Sequence, residues 1–224
     1  MLSELDMQAE HGKRLRMFPP RKSPPATFRD YLRSATSGAH ARLETAVDFD
    51  RRLNSLEAYR SFLEDFLRFL RPLEKELDAL DFGKFGIDYP ARRKLCRLEA
   101  DLKDLGHTEE SLETIASAPV PLLGDPLAGL GALYVVEGSS LGRRAMLKRL
   151  MPLLPIKPIW AGRFFNGYGE NTGAMWQSLI AVLNKVGGAR NSAEIILASA
   201  LETFAAFENC LGMSPFPRAP AQKS

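Results

Sequence analysis

Gly131-Ala-Leu-Tyr-Val-Val-Glu-Gly-Ser-Ser-Leu-Gly-Arg-Arg-Ala-Met146 is the stretch on which the reading of this chain depends. Its apolar spacing is helical, yet it carries Gly131, Gly138 and Gly142. An interior glycine costs about 1 kcal/mol against alanine in a helix, so three of them need a reason. At roughly 100° per residue, Gly142 lies about 40° from Gly138 on one side and Gly131 about 20° on the other. One face of the helix is therefore bared to its backbone. Close packing against another helix explains such a face, and spacing alone favours that reading. The sharper alternative is a flat, bulky ligand lying on the helix.

Composition narrows the classes. The chain has 224 residues, 45% hydrophobic and 25% charged, which is ordinary for a globular protein built around one core. A net charge of +3 is too balanced to indicate nucleic acid, although the first 33 residues are basic enough to serve a small anionic ligand. Cys96 and Cys210 form no CxxC pair, which excludes a disulfide framework or zinc site and suits a reducing, cytoplasmic compartment. Met1 to Phe18 lacks the apolar core of a signal peptide, and no apolar run approaches the ~18 residues of a membrane span.

Working outward, residues 1–26 form a basic arm broken by Pro19, Pro20, Pro24 and Pro25, with a short docking helix through Leu2, Leu5 and Leu15 as the alternative. From Thr27, a capping residue, Phe28, Tyr31, Leu32, Ala35, Ala39, Leu43 and Val47 make a helical stripe. A second helix runs from Ser55 to Leu80 with a kink expected at Pro72. A third spans Pro90 to Gly106, and a short one follows Thr108. The glycine-bearing helix runs from Pro126 to Leu150. Beyond a proline-rich break and a segment near Trp160 come helices over Asn171–Val186 and Asn191–Leu211, then an irregular tail over 213–224. Alternating strand patterns are missing. The expectation is an all-α, single-domain bundle of about seven to nine helices over 27–212.

Three histidines are present. His11 in the arm and His107 after a helix stop read as surface residues. His40 flanks the buried stripe of the first helix, where a lone histidine is most often structural. Arg33 lies about 20° away around that helix and Glu44 about 40° away. Imidazole, carboxylate and arginine on one stripe suit a haem: nitrogen to the iron, carboxylate to the other ring nitrogen, guanidinium to a propionate. A surface network of the same spacing is the competing explanation.

The two helices together are more specific. Leu32-Arg-Ser-Ala-Thr-Ser-Gly-Ala-His40-Ala-Arg-Leu-Glu44 resembles the proximal helix of haem oxygenases. The string from Gly131 to Gly142 resembles their distal helix, particularly in the bacterial branch that accompanies bacteriophytochromes. Phe164-Phe-Asn-Gly-Tyr-Gly169, Trp176 and Thr203-Phe-Ala-Ala-Phe-Glu208 are similar to that branch as well. The resemblance covers Thr27 to Leu211.

It implies a haem oxygenase-like fold and oxidative cleavage of haem, at once cofactor and substrate, to biliverdin with release of CO and ferrous iron. It makes His40 the proximal iron ligand, oriented by Glu44. Gly138, Ser139 and Gly142 become the catalytic face, and Arg33, Tyr134 and Arg149 further haem-binding residues. Partners implied are O2, an external electron donor such as a ferredoxin or reductase, and a bacteriophytochrome as bilin acceptor. The donor must be separate, since no dinucleotide fingerprint is present. Glu137 lies about 100° from Gly138, which leaves glycine, Ser139 or Ser140 and water on the distal face.

One departure stands out. The family usually has a second glycine where this chain has Arg143, expected to clear the haem or, leaning inward, to crowd the distal pocket. A non-catalytic haem carrier or sensor on the same fold is the alternative. A di-iron oxidase is excluded by the lack of paired Glu-x-x-His motifs. The aromatics Phe164, Phe165, Tyr168, Trp176, Phe204 and Phe207 read as core or pocket wall.

Overall fold

A computed structural model describes residues 27–47 and 53–212; the expected arm and tail, with His11, lie outside them. Eight α-helices are present among the described residues: α1 (Phe28–Val47), α2 (Leu56–Asp78), α3 (Leu95–Asp104), α4 (Glu109–Glu113), α5 (Pro126–Leu150), α6 (Arg163–Asn166), α7 (Thr172–Val186) and α8 (Arg190–Gly212). Short 3-10 turns occur at Gly83–Phe85, Pro90–Arg92 and Gly169–Asn171. Only isolated bridges around Lys157 have β geometry among these residues.

Local chemistry accounts for the boundaries. The Thr27 hydroxyl accepts from the Asp30 amide at 3.2 Å and donates to the Asp30 carboxylate at 2.8 Å, a reciprocal cap that opens α1. Ser55 caps α2 through the Ala58 amide. Asp125 accepts from the Leu127 amide at 2.6 Å, and Pro126 fills the first turn of α5, where its missing N–H is no loss.

Two expectations change. α2 continues as a helix through Pro72. The Arg68 carbonyl, which a residue with an N–H at position 72 would occupy, accepts instead from the Ala118 amide at 2.9 Å. The third helix is shorter than Pro90 to Gly106, because the chain breaks at Arg93 and Lys94. There the buried Glu74 carboxylate takes the amides of Lys94 (2.6 Å) and Leu95 (3.3 Å), capping α3 from α2.

α5 and α8 form the most extensive helix pair, and α1 also packs on α8. At Gly131 the two backbones meet: a β-carbon there would sit 2.3 Å from the Ile196 carbonyl oxygen and 2.9 Å from the Ala200 nitrogen. The Ser199 hydroxyl donates to the Ala128 carbonyl at 2.6 Å across the same contact. Close packing is thus the reason for Gly131, and the three glycines do not share one role. α8 contains a window apolar enough by length and composition to cross a membrane, which the sequence reading did not anticipate. Half of that window is buried in the fold, as in a core helix.

Candidate functional site

α1 and α5 stand on either side of a cavity of about 490 Å³, a size typical of small-molecule sites. α1 contributes Arg29, Arg33, Ser37, His40 and Glu44; α5 contributes Tyr134, Gly138, Ser139 and Arg143. Phe66 and Phe69 of α2, Trp176 of α7, and Phe204 and Phe207 of α8 close it with aromatic surface. The apolar stripe of α1 that includes Leu32 and Ala39 goes into the core, which leaves His40 and Glu44 on the cavity side.

His40 Nδ1 lies 3.5 Å from a Glu44 carboxylate oxygen, one turn on, and both side chains are more than half exposed. Its ring meets Phe204 edge-on, centroids 6.0 Å apart. Nε2 has no partner among the described residues, so Glu44 stands beside one ring nitrogen and the other is left available. Arg33 is exposed at the rim with no acidic partner among the described residues. Arg29 lies one turn before it and also lines the cavity. The sequence reading missed Arg29, although the i, i+4 spacing to Arg33 placed it on the same stripe.

On α5, a β-carbon at Gly138 would come 3.4 Å from the Trp176 ring, whereas one at Gly142 would meet nothing within 4 Å. Gly138 and Ser139 line the cavity; Gly142 and Arg149 do not belong to its lining, and both are exposed.

Arg143 is the main surprise. Instead of turning to solvent it is buried and lines the cavity. Its guanidinium carbon lies 4.5 Å from the Phe164 ring centre and 5.8 Å from that of Phe66. It donates to the Ser139 hydroxyl and, at 2.8 Å, to the Ser140 hydroxyl. Nε–H has no acceptor among the described residues. Burial lowers this guanidinium to about 10, against the opposing pull of Glu137. The α5 wall thus offers a cation in addition to glycine and serine.

Glu137 faces away from the cavity into a buried polar cluster that no local pattern signals. Its Oε1 accepts from Lys94 Nζ at 2.7 Å and from the Tyr168 hydroxyl at 2.5 Å. Arg92 Nη1 stands 3.7 Å off; it donates to the Met175 carbonyl, while Nη2 donates to the Ser178 hydroxyl. Burial lowers Lys94 to about 8, with Glu137 opposing, and burial followed by the Glu137 charge raises Tyr168 well above the ordinary tyrosine range. The cluster locks the middle of α5 to the start of α3. His107 also departs from expectation: it is half-buried, with Nε2 2.9 Å from Glu64 and Nδ1 3.0 Å from Ser111.

The donor set suits haem. An available imidazole nitrogen on α1 shares an aromatic cavity with Gly138, Ser139 and Arg143 of α5, and arginines stand on the α1 side. No cluster of metal-binding side chains exists among the described residues, so a metal here would have to arrive within a ligand of its own.

The family model for "Heme oxygenase" matches residues 26–212. The chain belongs to the haem oxygenase family. Among curated proteins it is similar to a haem oxygenase of Xanthomonas campestris pv. campestris, 29% identical over 164 residues that cover 72% of this chain and 93% of the relative. Among solved structures, the NO- and CO-bound haem oxygenase of Neisseria meningitidis shares the fold with a TM-score of 0.71 at 21% identity, covering 88% of this chain and 98% of that one. Haem oxygenase 2 of Chlamydomonas reinhardtii, solved without haem, gives 0.70 at 17% identity, covering 86% and 100%. The all-α fold is accordingly that of the haem oxygenases, and the chain is an oxidoreductase of that family, which degrades haem.

Proposed function

We propose that haem binds between α1 and α5 with His40 on its iron, and that the chain cleaves the ring to biliverdin, CO and ferrous iron. The observation that carries this reading is the single cavity wall holding His40, Glu44 and Arg33, set opposite Gly138 and Ser139. When bound and supplied with electrons, haem iron activates O2 and the ring is itself the group oxidised. The chain's part is to bind, orient and exclude water.

Glu44, 3.5 Å from Nδ1, fixes the imidazole plane and directs the other nitrogen into the cavity. Arg33, with Arg29 beside it, is placed to pair with propionates at the rim; each charged hydrogen bond contributes roughly 1.5–3 kcal/mol. Phe204, Phe207 and Trp176 supply apolar surface for the macrocycle. Gly138 keeps side-chain atoms off the ring, and Tyr134 and Ser139 complete the α5 side. Gly142, with open space beside it, preserves room further along the same helix.

The electron donor is read as a separate ferredoxin or reductase, and the bilin acceptor as a bacteriophytochrome, in keeping with the bacterial-branch resemblance of the Gly131–Gly142 string. A reducing, cytoplasmic setting suits Cys96 and Cys210, which form no disulfide.

Titrating the protein with hemin tests the site. A sharp Soret band at 1:1 stoichiometry is expected, with the band lost or displaced in His40→Ala. An unchanged band in that variant overturns the assignment of His40. Ascorbate or ferredoxin added to the complex should then yield bilin absorption and CO; a persistent haem band without bilin favours the carrier alternative.

A further inference from the structure

Arg143 carries a charge that nothing bonded to it balances. Its hydrogen-bond partners are the Ser139 and Ser140 hydroxyls, both neutral, and its stacking partners are Phe164 and Phe66. The nearest carboxylate, Glu137, acts on it only through space, because its Oε1 is taken by Lys94 and Tyr168. A buried cation left without an anion is costly, and proteins ordinarily pair it. Here it lies in the wall of the cavity that His40 also lines. The serines and the aromatic rings hold the guanidinium in place, so it need not reorganise when a ligand arrives.

We propose that Arg143 makes the α5 side of this cavity selective for anionic ligands of the haem iron, through its uncompensated charge. The proposal rests on the haem reading above. It gives the serine-and-glycine wall the fixed positive charge that it otherwise lacks. The guanidinium stays protonated at neutral pH, since burial brings it down only to about 10.

The test compares wild type with Arg143→Met and Arg143→Lys, each loaded with hemin. If wild type shows no 1:1 Soret complex, or His40→Ala leaves it unchanged, the haem reading fails and the fault does not lie with Arg143. Azide and fluoride affinities are then measured on the ferric complexes and CO affinity on the ferrous ones. Loss of a buried positive charge beside the bound anion predicts azide and fluoride binding weakened about ten- to hundredfold in Arg143→Met. Arg143→Lys should recover a large part of that loss, with CO affinity moving by less than about threefold in either variant. Anion affinities within about twofold of wild type in Arg143→Met overturn the proposal. So does a parallel loss of CO and anion binding, which would mean that the pocket had changed shape and not charge. Should Arg143→Met not take up haem, Arg143→Gln, which keeps a polar head without charge, is judged by the same criteria.

Discussion

Replacing Gly131 by alanine tests whether α5 carries its glycines for two different reasons. Helix propensity alone favours the change by about 1 kcal/mol. Against that, the added methyl would lie 2.3 Å from the Ile196 carbonyl oxygen, 2.9 Å from the Ala200 nitrogen and 2.9 Å from the Ser199 β-carbon. Two of those three atoms are backbone, so no side-chain rotation relieves the clash and α8 must move as a unit. Overpacking costs about 1–3 kcal/mol and more where the surroundings are rigid. Taking the upper end and subtracting the propensity gain leaves a net loss of about 2 kcal/mol. For a chain of this size that is a fall in Tm of about 4–8 °C. Gly142→Ala is the matched control, because its methyl enters open space; it should raise Tm by about 2–4 °C. Both are read by thermal unfolding followed by circular dichroism on the haem-free protein. Gly131→Ala with a Tm at or above wild type refutes the close-contact reasoning, and equal shifts in the two variants refute the division of roles.

Arg33→Ala should weaken hemin binding about tenfold or more by removing a propionate partner, as measured by Soret titration. Glu137→Leu strands the buried Lys94 and should lower unfolding free energy by about 3–5 kcal/mol in denaturant titrations; Glu137→Leu with Lys94→Met should recover much of it. Lys94 gives a signed pH dependence. Its folded pKa is about 8, below the ordinary lysine value of about 10.4. Between the two the unfolded chain holds a proton that the folded chain has released, so this group's contribution makes stability rise with pH over that window. Below about 8 the desolvation penalty is present in full. Denaturant midpoints from neutral to mildly alkaline pH should show the rise, flattened in Lys94→Met.

The secondary structure was legible wherever its cause was local. α5 begins at Pro126 and ends at Leu150 as the sequence indicates, because Asp125, Pro126 and the apolar period sit within one window. α3 was misjudged because its cap is Glu74, a residue of another helix 20 positions earlier. His40, Arg33 and Glu44 come to one cavity because helical spacing fixes which residues share a face. The glycines were harder. Gly131 and Gly138 share a face but lie seven residues apart, about 10 Å along the axis, and over that distance the neighbour changes from α8 to the cavity. Arg143 was left open between two directions for a related reason. The angle of its Cα says it leaves the glycine face, but a long side chain reaches back to Ser139 and Ser140 and settles on rings of α2 and α6. Those rings are brought there by tertiary structure, which spacing along one helix does not contain.

The Lys94–Glu137–Tyr168 cluster joins points 43 and 31 residues apart in sequence. Each of its hydrogen bonds to Glu137 joins two elements distant in the chain, so each needs α5 to have met α3 or the turn before α7. Any part of it that is unformed in the folding transition state acts on the unfolding rate and not on the folding rate. The buried Glu137 carboxylate therefore bears on how long α5 stays docked to α3 as well as on how stable the fold is.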